Sequence, residues 1–167
     1  AEFQDVVAAG EYLKSLPSVD GERIGVYGGS YGGFLTAYSL ARRSDLFSVG
    51  VAWHGIYDWS YWKSNPLPGG MFFTPWGVES EDPEVVRASS PIAHVNSWRS
   101  PVLLVSGDDD RRVLVEETVA LERALQRSGV PVETMIIPNE IHGFLRHETW
   151  LRVLQRTTDF LQTHLEE

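Results

Sequence analysis

The chain has 167 residues, 43% of them hydrophobic and 22% charged, the profile of one folded domain. Its net charge of -9, with no Lys/Arg cluster, argues against nucleic acid or an anionic membrane surface as partner, since both need a basic patch. There is no cysteine, which excludes disulfides, a thiolate nucleophile and Cys-based zinc or iron–sulfur sites, and suits a reducing compartment such as the cytoplasm.

The chain opens without methionine and already in a helical pattern, so a piece of a longer protein is expected. Phe3, Val6, Val7, Gly10 and Leu13 recur at helical spacing, predicting an amphipathic helix over 2–16 that Pro17 stops. A turn at 19–22 leads into a short buried strand at 23–28. A helix over 34–43 and a strand over 48–53 follow. Residues 54–100 break all periodicity with prolines and glycines, yet carry Tyr57, Trp59, Tyr61, Trp62, Phe72, Phe73, Trp76 and Trp98. That content predicts a long, ordered, irregular excursion with short helical pieces rather than disorder. A continuous apolar run at 101–105 reads as a strand buried on both faces. Leu114, Thr118, Leu121 and Leu125 mark a helix ended by Gly129, and a strand spans 132–137. Trp150, Leu151, Leu154, Leu161 and Leu165 make the last helix. No apolar run approaches the roughly 18–20 residues of a membrane span. The alternation of strands and helices implies a parallel sheet covered on both faces, with reactive groups beyond the C-terminal ends of its strands.

The first strand runs into Gly28-Gly29-Ser30-Tyr31-Gly32-Gly33, after which a helix starts. Gly28, Ser30 and Gly32 fit the G-x-S-x-G turn that lifts a serine hydroxyl above a sheet edge. Side chains two before and two after the serine are expected to clash with neighbouring backbone. The bland reading is a glycine-rich packing or phosphate-binding turn.

After the 101–105 strand comes Ser106-Gly107-Asp108-Asp109-Asp110-Arg111-Arg112-Val113; after the 132–137 strand comes Pro138-Asn139-Glu140-Ile141-His142-Gly143-Phe144. In isolation the three aspartates read as a solvated turn, one of them capping the next helix. His54, His94, His147 and His164 read as surface or packing residues. The order serine, aspartate, histidine, each after a different strand, is the order of α/β-hydrolases. A hydroxyl is a poor nucleophile until a histidine takes its proton, and the histidine needs a carboxylate to hold its tautomer. A metal site is not suggested: His142 and His147 are five residues apart, which does not place them on one helix face, and no third ligand is evident.

Taken together, the Gly28–Gly33 elbow, the Asp110-Arg111-Arg112-Val113 loop and the Ile141-His142-Gly143-Phe144 loop resemble the catalytic domain of the prolyl oligopeptidase family, which includes dipeptidyl peptidases and acylaminoacyl peptidases. The resemblance covers nearly the whole chain. It implies an α/β-hydrolase fold lacking its first strands, and a serine peptidase with Ser30 as nucleophile, His142 as base and no cofactor. It selects Asp110, three residues before the valine, as the acid, with Asp109 as runner-up. It further implies the Tyr31 N–H as an oxyanion donor, and Tyr31, Trp59, Trp62 and Val113 around the residue preceding the scissile bond. Trp59 and Trp62, three apart, would share a helix face, with core or lid packing as the alternative. Ser106 departs from the histidine common there. The expected substrate is a peptide or acyl-peptide; a carboxylesterase is the nearest alternative, and a fold or assembly module without activity of its own the second. Members of the family carry earlier strands and usually a β-propeller. Without them, the nucleophile strand is expected at an exposed sheet edge, leaving the isolated chain poorly active, marginally stable or oligomeric.

Overall fold

A computed structural model describes residues 2–65 and 82–166. Phe72, Phe73 and Trp76 lie outside the described residues. In chain order the elements are α1 (Glu2–Ser15), β1 (Gly25–Gly29), α2 (Tyr31–Arg42), β2 (Val49–Trp53), α3 (Trp59–Ser64), α4 (Pro83–Ala88), a 3-10 helix (Pro91–Ser97), β3 (Val102–Gly107), α5 (Val115–Arg127), β4 (Val132–Ile137) and α6 (His147–Glu166). Helix α2 begins at Tyr31, three residues earlier than its apolar periodicity suggested, because the helix is launched directly from the serine turn.

The four strands form one parallel sheet in the order β1-β2-β3-β4. β2 and β3 are buried along their whole length, as the continuous apolar run at 101–105 implied for β3. Their side chains alternate between two cores. Ala52, Val102 and Leu104 point to one face, where Ala37, Leu40 and Ala41 of α2 and Leu121 and Leu125 of α5 cover them. Val49, Val51, Leu103 and Val105 point to the other, where Val153 and Phe160 of α6 lie. Crossovers of one hand put α2 and α5 on the same side, and α6 crosses to the opposite face.

β1 corrects one expectation. Read as a buried strand, it is not buried: among the described residues it pairs only with β2, at the sheet edge expected for the strand that carries Ser30, and Tyr27 is 62% exposed. A central strand would have covered both faces, whereas an edge strand leaves backbone and side chains open on one side.

Tyr57, Trp59 and Trp98 are fully buried, so the described part of the 54–100 excursion is ordered through its aromatic side chains. Asp58 caps α3 by accepting the Ser60 and Tyr61 amides, and Asp82 caps α4 by accepting that of Glu84. The buried Glu117 of α5 holds the start of this segment. Its Oε2 accepts the Tyr57 and Asp58 N–H groups at 2.9 and 2.8 Å.

Candidate active site

β1, β3 and β4 end at the same edge of the sheet, and the loops that follow them carry Ser30, Asp110 and His142. Ser30 sits between β1 and α2 with φ 58 and ψ -119, a conformation that costs a non-glycine residue on the order of 1–3 kcal/mol. The neighbouring glycines explain how the chain gets there. A Cβ on Gly28 would lie 2.7 Å from the backbone of Gly32, and one on Gly33 would lie 2.5 Å from the Trp53 carbonyl oxygen. Gly32 corrects the sequence expectation: a Cβ there meets nothing within 4 Å. Its backbone is what crowds Gly28, and the second crowded position is Gly33.

The aspartate loop separates its three carboxylates by role. Asp108 Oδ1 accepts the Asn139 amide, tying this loop to the histidine loop. Asp109 is half-exposed and pairs with Arg111. Asp110 is 3% exposed, and its Oδ1 accepts the N–H groups of Arg112 and Val113 at 2.8 and 3.0 Å. Those two bonds shape the turn and fix the carboxylate. α5 instead has Leu114 at its N-cap, with no side-chain cap, so the capping reading of these aspartates does not apply. Asp110 Oδ2 lies 2.7 Å from His142 Nδ1, and His142 Nε2 lies 2.9 Å from Ser30 Oγ. With its proton on Nδ1, His142 donates to Asp110 and accepts from the serine hydroxyl. Such a line of groups can draw the proton from a hydroxyl as it attacks a carbonyl.

The histidine loop is sharply bent, with positive φ at Asn139, Gly143 and Phe144. Glu140, two residues before His142, anchors it. Its carboxylate is fully buried and accepts the Leu145 amide, the Arg146 Nε–H at 2.7 Å and the Thr149 hydroxyl. Burial by itself would raise its carboxyl, but the bonds from Thr149, Arg146 and Leu145 outweigh this and hold it down to about 2. The Glu140 backbone carbonyl also accepts the Asp109 amide and packs against Gly107, where a Cβ would overlap it. Sequence reading passed over this residue, although an acidic side chain just before the loop histidine, followed by Arg146 and Thr149 at a helix start, was visible.

His54 is the larger omission. Read from sequence as a packing or surface residue, it lies inside the site. It is 5% exposed, its Nδ1 accepts the Ser30 N–H at 3.0 Å, and its ring centroid is 4.3 Å from that of His142. Burial, and next the neighbouring His142, push its pKa down to about 4, against the opposing pull of Asp110. Its Nδ1 is therefore free to accept at neutral pH. His94 hydrogen-bonds the Ala88 carbonyl and packs on Tyr38, and His164 packs on Phe160.

Beside Ser30 lies an aromatic cluster built on Phe34, Ile56, Trp59, Val86 and Val113, flanked by Tyr31 and Trp62. The indoles of Trp59 and Trp62 meet edge to face at 5.7 Å, as their spacing implied. Trp59 is 1% exposed beneath Phe34, so it supports the cluster from below. Tyr31 and Trp62 remain partly open, and Trp62 donates its indole N–H to the Arg112 carbonyl. Tyr31 is the first residue of α2, where backbone N–H groups have no acceptor within the helix. Among the described residues, no group of three or more His, Asp or Glu side chains could hold a metal ion, and no helix is long and apolar enough to cross a membrane.

A parallel sheet with helices on both faces and a serine turn after one strand defines the α/β-hydrolase fold. The chain belongs to the prolyl oligopeptidase family, whose model matches residues 1–167. Dipeptidyl-peptidase 5 of Porphyromonas gingivalis is 32% identical over 157 residues, 89% of this chain and 22% of that protein. The acylamino-acid-releasing enzyme of Arabidopsis thaliana is 29% identical over 157 residues, 89% of this chain and 20% of its own length. The crystal structure of a puromycin hydrolase superposes with a TM-score of 0.89 at 27% identity, covering 98% of this chain and 25% of that one. This chain therefore spans about a fifth to a quarter of the relatives it matches.

Proposed function

We propose that the protein is a serine peptidase that hydrolyses peptide or acyl-peptide bonds through an acyl-enzyme. The observation that carries this reading is the continuous hydrogen-bonded line from Asp110 through His142 to Ser30. Ser30 Oγ attacks the substrate carbonyl as its proton passes to His142 Nε2. The carbonyl oxygen becomes an oxyanion, and the Tyr31 N–H at the start of α2 donates to it. One such donor is worth about 3–4 kcal/mol of transition-state stabilisation. Asp110 holds the proton on Nδ1 and stabilises the imidazolium that forms. Collapse breaks the C–N bond, and the leaving amine takes the proton from Nε2. Water then attacks the acyl-serine with His142 as base, releasing the acid and restoring Ser30. Tyr31, Trp62 and Val113, supported by Trp59, form the apolar surface that receives the residue before the scissile bond. The relatives named for dipeptidyl peptidase and acylamino-acid-releasing activity support amide over ester substrates.

The test is labelling of the full-length gene product with a fluorophosphonate, alongside turnover of matched aminoacyl amides and esters. Stoichiometric label on Ser30, absent in Ser30→Ala, together with amide hydrolysis is the expected result. Ester turnover without amide turnover would transfer the reading to a carboxylesterase; no label would refute both.

A further inference from the structure

We infer that His54 is a positioning residue for the nucleophile turn, acting as a neutral imidazole whose Nδ1 accepts the Ser30 amide while its ring backs that of His142. The inference rests on the catalytic reading above for its consequences in rate, but not for its geometry.

The Ser30 N–H is shared between two acceptors, the Trp53 carbonyl at 2.9 Å and His54 Nδ1 at 3.0 Å. The first is a main-chain contact that the parallel pairing of β1 with β2 provides at the strand end, where Gly29 is opposite Trp53. The second is supplied by a side chain, and it falls on a residue whose backbone is strained. His54 is itself held in an unusual conformation, with φ 35, and its own N–H donates to the Val105 carbonyl of β3 at 2.7 Å. Two consecutive strand ends therefore carry two left-handed residues, and the imidazole links them. Strain of this kind persists only where the surroundings over-determine it.

Gly29 gives independent support. The serine-turn pattern leaves this position free, yet it is a glycine, and a Cβ there would lie 3.1 Å from His54 Cε1. A side chain there would press on the imidazole and push it by a few tenths of an ångström. On its other side the ring tilts against His142 at 4.3 Å between centroids and against Phe144 at 5.2 Å. His54 thus touches the nucleophile through its amide and the base through its ring, without reaching the serine hydroxyl. An Nδ1 that accepts from an amide must be bare, so the proton of neutral His54 is on Nε2. That is the opposite tautomer to His142, whose Nδ1 faces Asp110. Burial and the adjacent His142 keep His54 uncharged, which also spares the imidazolium that forms on His142 a neighbouring cation.

The experiment uses the full-length gene product and two complementary variants. His54→Asn keeps an acceptor where Nδ1 stands but removes the ring; His54→Phe keeps a ring but removes the acceptor. The rate of Ser30 phosphonylation and kcat are expected to fall on the order of tenfold to a hundredfold in His54→Phe, with KM nearly unchanged, and clearly less in His54→Asn. Equal impairment of the two variants, or a rise in KM at constant kcat, would overturn the inference, since a residue that merely fills space gives either pattern. If a variant fails to fold, the unsubstituted protein decides. With 15N-labelled histidine, NMR near neutral pH should show His54 protonated on Nε2 and bare at Nδ1. Protonation at Nδ1 would overturn the inference even if Ser30 reacts normally. Absence of phosphonylation in the unsubstituted protein would instead remove the catalytic reading and leave the tautomer to judge the geometry.

Discussion

Replacing Glu117 by glutamine should stabilise the protein at pH 8 and change little at pH 4. Glu117 is 1% exposed. Its Oε2 takes the Tyr57 and Asp58 amides, and Oε1 has no hydrogen-bond partner among the described residues. Burial raises its carboxyl, the two amides pull it down, and the balance leaves it at about 7 instead of 4.5. The unfolded chain therefore releases this proton near 4.5 and the folded chain only near 7. Between those values the folded state binds one proton more than the unfolded state, so stability falls as pH rises. The contribution is intact below the lower value and gone above the upper one. At about 1.4 kcal/mol per pH unit, the loss at pH 8 is about 3 kcal/mol. Glutamine presents a carbonyl to the same two amides and never ionises, so the variant should lack this slope. The assay is thermal unfolding of the full-length parent and variant from pH 4 to pH 8, read as the difference between them. The expected gain at pH 8 is on the order of a few °C in Tm, because the shift per kcal/mol shrinks as the unfolding unit grows. Glu140 does not blur the comparison. Its carboxyl is depressed to about 2, so its contribution is present above the usual glutamate range and is lost only as pH falls toward 2. A variant no more stable than the parent at pH 8, or one with the parent's slope between pH 4.5 and 7, would refute the reasoning.

Asp110→Asn keeps the turn bonds to Arg112 and Val113 but turns an amide toward His142 and favours the wrong tautomer, so kcat should fall on the order of 10⁴-fold. Asp109→Asn, which loses only an exposed pair with Arg111, should leave kcat within about twofold, and equal losses in the two variants would contradict the assignment of the acid. Gly28→Ala should cost about 1–3 kcal/mol in denaturant unfolding because its methyl meets the Gly32 backbone. Gly32→Ala should instead be neutral or stabilising by up to about 1 kcal/mol, since its methyl has room in the first turn of α2; a large loss there would show that the turn is more crowded than this geometry allows.

Ser30, Asp110 and His142 were legible because each follows a strand and each stands in a loop with its own short pattern. The parallel sheet then brings loops that are far apart in sequence to one edge. His54 was not legible as a single residue. It gains its meaning from the lateral pairing of β1 with β2, which sets its ring beside the serine turn. The relevant signal was a histidine directly after the strand that follows the nucleophile strand. Glu117 and Glu140 escaped for a different reason. Hydropathy assigns carboxylates to the surface, and only the backbone amides waiting at Tyr57, Asp58 and Leu145 reveal why these two are inside. For β1 the edge position was legible from the resemblance, whereas its apolar run by itself misled toward burial. Gly32 shows that a motif records which residue is glycine without recording whose space is at stake.

The bond between Glu140 and Thr149 ties the histidine loop to the opening turn of α6, an element that follows all three site loops in the chain. As the chain leaves the ribosome, Ser30 emerges first, Asp110 next and His142 last. Even then the base loop lacks its anchor until α6 has formed and packed its Val153 and Phe160 against the sheet. A nascent chain thus carries Ser30, Asp110 and His142 before the contacts that align them are in place. On the catalytic reading proposed above, the reactivity of Ser30 toward a phosphonate becomes a readout of finished assembly.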